Sequence, residues 1–155
     1  MRILFLFTFF TLLLDQVSKW GVVQGLDLKS VHEIDVLPPF VNFRMAWNDG
    51  VNFGLGGGGH IAKYILIALA LGISAWVFVW VWRERPNRIG MASAGLLIGG
   101  ALGNVIDRVL YGAVADFLNM SCCGFENPYS FNVADIAIFA GAIGLILFTG
   151  GKKGG

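Results

Sequence analysis

"IGMASAGLLIGGALGNVIDRVLYGAVADF", Ile89 to Phe117, decides the fold. Its first two thirds are apolar or small, and then Asn104, Asp107, Arg108 and Asp116 follow in quick succession. About 20 mostly apolar residues at ~1.5 Å each are enough to cross a bilayer. Ionisable groups at such a depth are expensive against lipid, so they face a bundle interior or a cavity. The stretch therefore predicts a membrane helix that ends at a protected polar site.

The rest of the chain agrees. Its 155 residues are 56% apolar and only 14% charged, with a mean hydropathy of +0.71. Soluble domains carry about 25% charged residues. The composition implies one integral membrane domain, residues 1–155. A net charge of +1 with scattered Lys and Arg offers no basic stripe for nucleic acid. Three more apolar segments accompany Ile89–Leu110, namely Ile3–Val23, Ile61–Trp82 and Phe131–Thr149. The expected architecture is an all-α membrane fold, a four-transmembrane-helix bundle. Arg2 followed by an apolar run resembles a signal peptide. However, Asp15 and Lys19 interrupt the run and no A-x-A-like site follows, so an uncleaved helix is expected.

The basic residues give an orientation. Arg2, Arg83, Arg85, Arg88, Lys152 and Lys153 fall on one side if both termini are cytoplasmic. Asp15 and Lys19, then Asn104, Asp107 and Arg108, then Asn132 and Asp135 all fall at the outer ends of their segments. Asp116 falls in the outer loop that follows Leu110. Polar residues from the whole chain thus converge at one depth, and a single shared site is the economical reading.

Within the polar stretch from Leu26 to His60, "VNFRMAWN" alternates in polarity from Val41 to Asn48, as a half-buried strand does. "NDG", Asn48 to Gly50, supplies a turn, and "GLGGGGH", Gly54 to His60, a connector. A small extracytoplasmic β segment over about residues 35–55 is expected beside the polar site. Gly95, Gly99 and Gly103 recur at every fourth position, and Ala134, Ala137 and Gly141 form a similar row. Such rows let helix backbones approach closely in lipid. No Walker-type Lys-Ser/Thr follows them, so they are not a phosphate loop.

Asp116 and Asp135 are the candidates for chemistry. Two carboxylates held close cannot both ionise cheaply and so share a proton. One can then activate water while the other acts as an acid, the logic of an aspartic protease. The spacing leaves other readings open. Asp135 falls where an acid caps a helix begun by Asn132, and Asp116 alone reads as a solvated loop acid. Asn104, Asp107 and Arg108 share one helical side, and Asp15 and Lys19 form a self-neutralising i, i+4 pair. His32 and His60 have no ligand-like neighbours, so no metal is expected. Adjacent Cys122 and Cys123 suit disulfide geometry poorly and read as small loop residues.

"DQVSK", "NDGVNFG", "GGALGNVIDR", "GAVADF" and "FNVADIAI" occur here in the order found in lipoprotein signal peptidases, and the chain resembles that family over nearly its whole length. The resemblance implies a bacterial inner-membrane aspartic endopeptidase with four spanning helices and a small outer β-cradle. Its substrate is a diacylglyceryl-modified prolipoprotein, cut on the N-terminal side of the lipidated Cys. The resemblance places the catalytic pair on Asp116 and Asp135. It places support and substrate binding on Asp15, Lys19, Asn48, Asn104, Asp107, Arg108 and Asn132. No metal or other cofactor is implied, membrane lipid is the surrounding partner, and a monomer is expected. Val51-Asn52 before Phe53, Val114-Ala115 before Asp116, and "SCCGFENP" depart from the family's usual pattern.

Two other classes compete. A proton conductor needs polar groups in both halves of the bilayer. The inner halves here are apolar apart from a few Ser and Thr. An assembly subunit would use the glycine faces but leaves the converging outer acids without a role.

Overall fold

The computed structural model describes residues 1–50, 60–122 and 124–149. Helix α1 (Arg2–Lys19) continues into a π-helical turn, Trp20–Gly25, and a short helix α2 (Leu28–Val31) follows. Strands β1 (Glu33–Leu37) and β2 (Val41–Asn48) precede helix α3 (His60–Glu84). Helix α4 (Arg88–Tyr111), strand β3 (Val114–Met120) and helix α5 (Val133–Thr149) complete the chain. The connector expected over Gly54–His60 lies, up to residue 59, outside the described residues.

Helix α4 is the centre of the bundle and packs against α1, α3 and α5. Its glycines explain how. A methyl group on Gly95 would lie 2.7 Å from the Leu4 carbonyl oxygen, and one on Gly99 would lie 2.7 Å from that of Thr8. On the α5 side, a methyl on Gly141 would lie 2.6 Å from the Ser93 carbonyl oxygen. Lipid supplies no hydrophobic force between helices, so backbone proximity and dispersion hold them. Helix α3 packs through larger side chains instead, Val77 and Val81 joining Leu4, Ala94, Leu97 and Ile98. Phe9, Phe10, Trp76 and Ile146 point outward, as lipid-facing residues do.

Local signals fix the ends of α4. The Asn87 side chain accepts from the Gly90 N–H at 2.8 Å as an N-cap. Gly112, at φ +83°, closes the C-terminus, and its N–H donates to the Arg108 carbonyl at 3.1 Å. That left-handed residue turns the chain back into β3.

Four expectations need adjustment. Helices α1, α3 and α4 are long and apolar enough to cross a membrane, whereas α5 has 17 residues. It starts at Val133 rather than Phe131 because Asn132 caps it and Phe131 bridges to Leu118. The β segment is a three-stranded antiparallel sheet in the order β1-β2-β3. Asp116 thus lies in a strand, not a loop, with Ala46 opposite it and Val114 opposite Asn48. One extra residue in β2 between Phe43 and Ala46 makes a bulge, so the strict alternation expected there does not run through the strand. Finally, Cys122 is disulfide-bonded rather than a loop thiol, while Cys123 lies outside the described residues.

Candidate active site

The end of the bundle beside the sheet gathers every candidate residue. The C-terminal ends of α1 and α4 and the N-terminal end of α5 meet there, under β2 and β3. Asp15, Asp107, Asp116 and Asn132 are 0, 1, 3 and 0% exposed. Groups buried to that extent need hydrogen bonds, and each has them.

The lower part is ionic. The Lys19 ammonium lies 2.9 Å from Asp15 Oδ2 and 2.8 Å from Asp107 Oδ2. Both acids also tie into backbone. Asp15 Oδ1 accepts from the Ala134 N–H at 2.9 Å, in the first turn of α5. Asp107 Oδ2 accepts from the Ala115 N–H at 3.2 Å, next to Asp116 in β3. Gln16 Nε2 donates to both acids, at 3.1 Å each. Gly103 is required here, because a methyl group on it would strike the Asp15 carboxylate. Three helices and a strand are thereby locked together in a fixed geometry.

The upper part joins the two candidate carboxylates. Asn132 Nδ2 donates to Asp116 Oδ1 at 2.6 Å, and the Asn132 backbone N–H donates to Asp135 Oδ2 at 3.2 Å. Asn132 Oδ1 accepts from the Asp135 N–H at 2.9 Å, completing a reciprocal cap at the start of α5. Asp135 therefore does cap the helix, and the same bonds aim it. Asn104 Nδ2 donates to the other Asp135 oxygen at 2.9 Å. Asn48 Nδ2 donates to Asp116 Oδ2 at 3.0 Å, while Asn48 Oδ1 accepts from the Gly50 N–H at 3.1 Å. The expected turn at Asn48–Gly50 thus orients the amide that reaches Asp116.

Burial, first, and the Asp135 charge, second, push the Asp116 carboxyl up to about 6, against the bonds from Asn48 and Asn132 and the Lys19 charge. Arg108 stands within electrostatic reach of Asp116, Asp135 and Asp107. Its Nη1 donates to the Asn104 carbonyl at 3.3 Å, and its buried Nε has no hydrogen-bond partner among the described residues. A donor left open beside two carboxylates is suited to a peptide carbonyl.

All nine residues singled out from the sequence thus meet in one place. His32 lies apart, in the turn before β1, with its carbonyl accepting from the Met45 N–H at 2.9 Å. Gln16 was missed, although it sits inside "DQVSK", because the charged Asp15 and Lys19 around it dominate that block. The backbone donors of Ala115 and Ala134 leave no trace in side-chain identity either.

Residues 7–150 match the family model for signal peptidase (SPase) II. The lipoprotein signal peptidase of Methylobacterium radiotolerans is 46% identical over 138 residues, 88% of this chain and 79% of that one. The one from Neisseria meningitidis serogroup C is 36% identical over 137 residues, 88% of this chain and 82% of that one. A bacterial membrane enzyme solved by the in meso method at 1.9 Å resolution superposes with a TM-score of 0.83 at 26% identity, over 99% of this chain and 96% of that one. A second, solved at 2.3 Å, superposes at 0.80 with 28% identity, over 100% and 94%. With these similarities running through every element that builds the polar site, the chain belongs to the lipoprotein signal peptidase family, the peptidases called signal peptidase II.

Proposed function

We propose that this protein is an aspartic endopeptidase that removes the signal peptide from diacylglyceryl-modified prolipoproteins, cutting N-terminal to the lipidated Cys. The observation that carries the reading is Asn132, one residue bonded to both Asp116 and Asp135. It holds the two carboxyls as a pair, and Arg108 faces both.

In this mechanism the pair shares one proton. Asp116, pushed up to about 6, carries it, and Asp135 is the base. Asp135 takes a proton from water as that water attacks the scissile carbonyl carbon. Asp116 gives its proton to the carbonyl oxygen. The tetrahedral intermediate collapses as Asp135 passes its proton to the leaving amine and the reforming carbonyl returns one to Asp116. Arg108 and Asn48 bind the peptide backbone, while Asp15, Asp107, Asn104 and Asn132 fix the geometry.

The depth suits the substrate. Residues 1–155 form one domain in the bacterial inner membrane, with α1, α3, α4 and α5 all crossing and both termini cytoplasmic. At ~1.5 Å per residue, 17-residue α5 spans about 25 Å. The bilayer adapts to so short a helix by local thinning. The site then lies at the outer leaflet, where the diacylglyceryl chains rest against the apolar flanks of α3 and α5. The enzyme works as a monomer.

The test replaces Asp116 with Asn and, separately, Asp135 with Asn. Both variants should insert and purify normally yet leave a diacylglyceryl prolipoprotein uncut. Near wild-type cleavage by either one refutes the pair.

A further inference from the structure

Beneath the two carboxyls lies a cation that touches neither. The Lys19 ammonium has three N–H donors and three acceptors, Asp15 Oδ2 and Asp107 Oδ2 in the ion pairs and Asn104 Oδ1 at 3.1 Å. The amide of Asn104 has two unlike ends. Its oxygen accepts from Lys19 and, at 3.3 Å, from Asn132 Nδ2. Its nitrogen donates to Asp135 Oδ1. Inverting that amide would point an NH2 group at an ammonium, which cannot accept, and an oxygen at a carboxylate. Three hydrogen bonds would become repulsive contacts.

We infer that Lys19 is a positioning residue that sets the orientation of the Asn104 amide, and through it the direction in which Asp135 is held. This rests on the Asp116–Asp135 reading. Asn132 is already oriented by its own backbone, since its oxygen accepts from the Asp135 N–H and its NH2 must face Asp116 and Asn104. The Asn104 side chain has no such backbone tie among the described residues. The ammonium, at 3.1 Å, is the closer of the two donors that distinguish its ends, the Asn132 NH2 at 3.3 Å being the other, and it is the one that carries a full charge. Lys19 in turn cannot drift, because its two carboxylates are anchored to the backbones of α5 and β3. The alternative is a plain ion-pair staple between α1 and α4, which would stabilise the bundle without acting through Asn104.

A double-mutant cycle on full-length protein in detergent separates these, with a diacylglyceryl prolipoprotein as substrate. Lys19→Gln should lower kcat roughly 10- to 100-fold, the scale of a misplaced catalytic group, with KM within about twofold. Lys19→Arg should recover most of that loss. It keeps the charge, and a cavity of about 240 Å³ lined by Gln16, Lys19 and Asp107 leaves room for a guanidinium. Added to Asn104→Ala, Lys19→Gln should change kcat by less than about twofold, because the amide it orients is already gone. If the two losses multiply, or if Lys19→Gln raises KM alone, Lys19 does not act through Asn104 and the inference fails. Should Lys19→Gln misfold, the comparison is made between Asp107→Asn and Lys19→Gln/Asp107→Asn, which keeps the net charge of the wild-type cluster. Wild-type kcat in Lys19→Gln with no cleavage by the Asp116→Asn and Asp135→Asn variants overturns the positioning role alone. Cleavage by either Asp variant overturns the pair itself.

Discussion

Replacing Asp116 with Asn should abolish a pH dependence of stability as well as activity. Asp116 is 3% exposed in β3, and burial together with the Asp135 charge raises it from the usual 3.8 to about 6. The native state therefore holds this proton more tightly than the unfolded chain does. Its contribution is fully present below about 3.8, falls as pH rises through the window between 3.8 and about 6, and is lost above it. Roughly two pKa units at about 1.4 kcal/mol each amount to roughly 3 kcal/mol. The Asn side chain does not titrate. It does turn an NH2 toward either Asn48 or Asn132, both donors, at a pH-independent cost of about 1–3 kcal/mol. The variant should thus be the less stable protein at pH 4 and should equal or exceed the wild type at pH 7. SDS unfolding in mixed micelles across this pH range, followed by fluorescence of the five tryptophans, measures the difference. A difference that stays flat with pH, or a wild type that gains on the variant as pH rises, refutes the account of Asp116.

Other substitutions probe the same architecture. Asn132→Ala removes the α5 cap and a buried donor to Asp116, so unfolding should become easier by about 2–4 kcal/mol and cleavage should fall at least ~100-fold. A loss under about 1 kcal/mol in denaturant titration would contradict the cap. Gly103→Ala forces a methyl group onto the Asp15 carboxylate and should cost about 1–3 kcal/mol, whereas Gly72→Ala in α3 meets nothing within 4 Å and should be neutral or gain up to about 1 kcal/mol. Equal melting shifts for the two would disprove the close α1–α4 contact. Asn48→Ala removes one donor from the ionised form of Asp116 and should move its titration window upward, read in the same pH series of unfolding curves.

The sequence made the helices and the meeting of the polar residues legible for a physical reason. Lipid forbids unpaired charge, so Asp15, Lys19, Asp107 and Asp135 in apolar segments must find one another, and segment direction alone says where. The glycine row Gly95, Gly99 and Gly103 was legible for the same reason, because only close backbones hold helices together in lipid. Strand β3 was not. "VADFLNM", Val114 to Met120, is neither alternating nor bounded by turns on both sides, and it forms because β2 extends far enough to pair with it. The bulge in β2 was also hidden, since a bulge arises from register between two strands and not from either alone. Helix α5 came out two residues shorter than its apolar run, because the Asn132–Asp135 cap outweighs the hydropathy of Phe131. The roles of Asp135 as cap and as half of a pair looked like alternatives in the sequence. In the proposed mechanism they are one arrangement, since the bonds that cap the helix also fix the carboxyl.

Formal charge shows why the pair should hold a single proton. Asp15, Lys19 and Asp107 form a closed trio with net charge −1. That excess lies at the N-terminus of α5, where Asp15 accepts the Ala134 N–H and the helix end contributes about +0.5. The helix end offsets about half of that excess without any help from the pair. Arg108 is the cation left to face Asp116 and Asp135. With one proton between them the two carboxyls and Arg108 sum to zero. With none they sum to −1 in a buried site, and with two they sum to +1 and leave no base. Burial of Asp116 penalises its charged form, so the proton is kept there up to about 6. A change that removes the Arg108 charge therefore acts on the pair before it acts on any substrate. It should raise the window in which Asp116 titrates as well as weaken binding, and a kcat–pH profile of Arg108→Gln that merely loses affinity at an unchanged window would show that Arg108 serves the peptide alone.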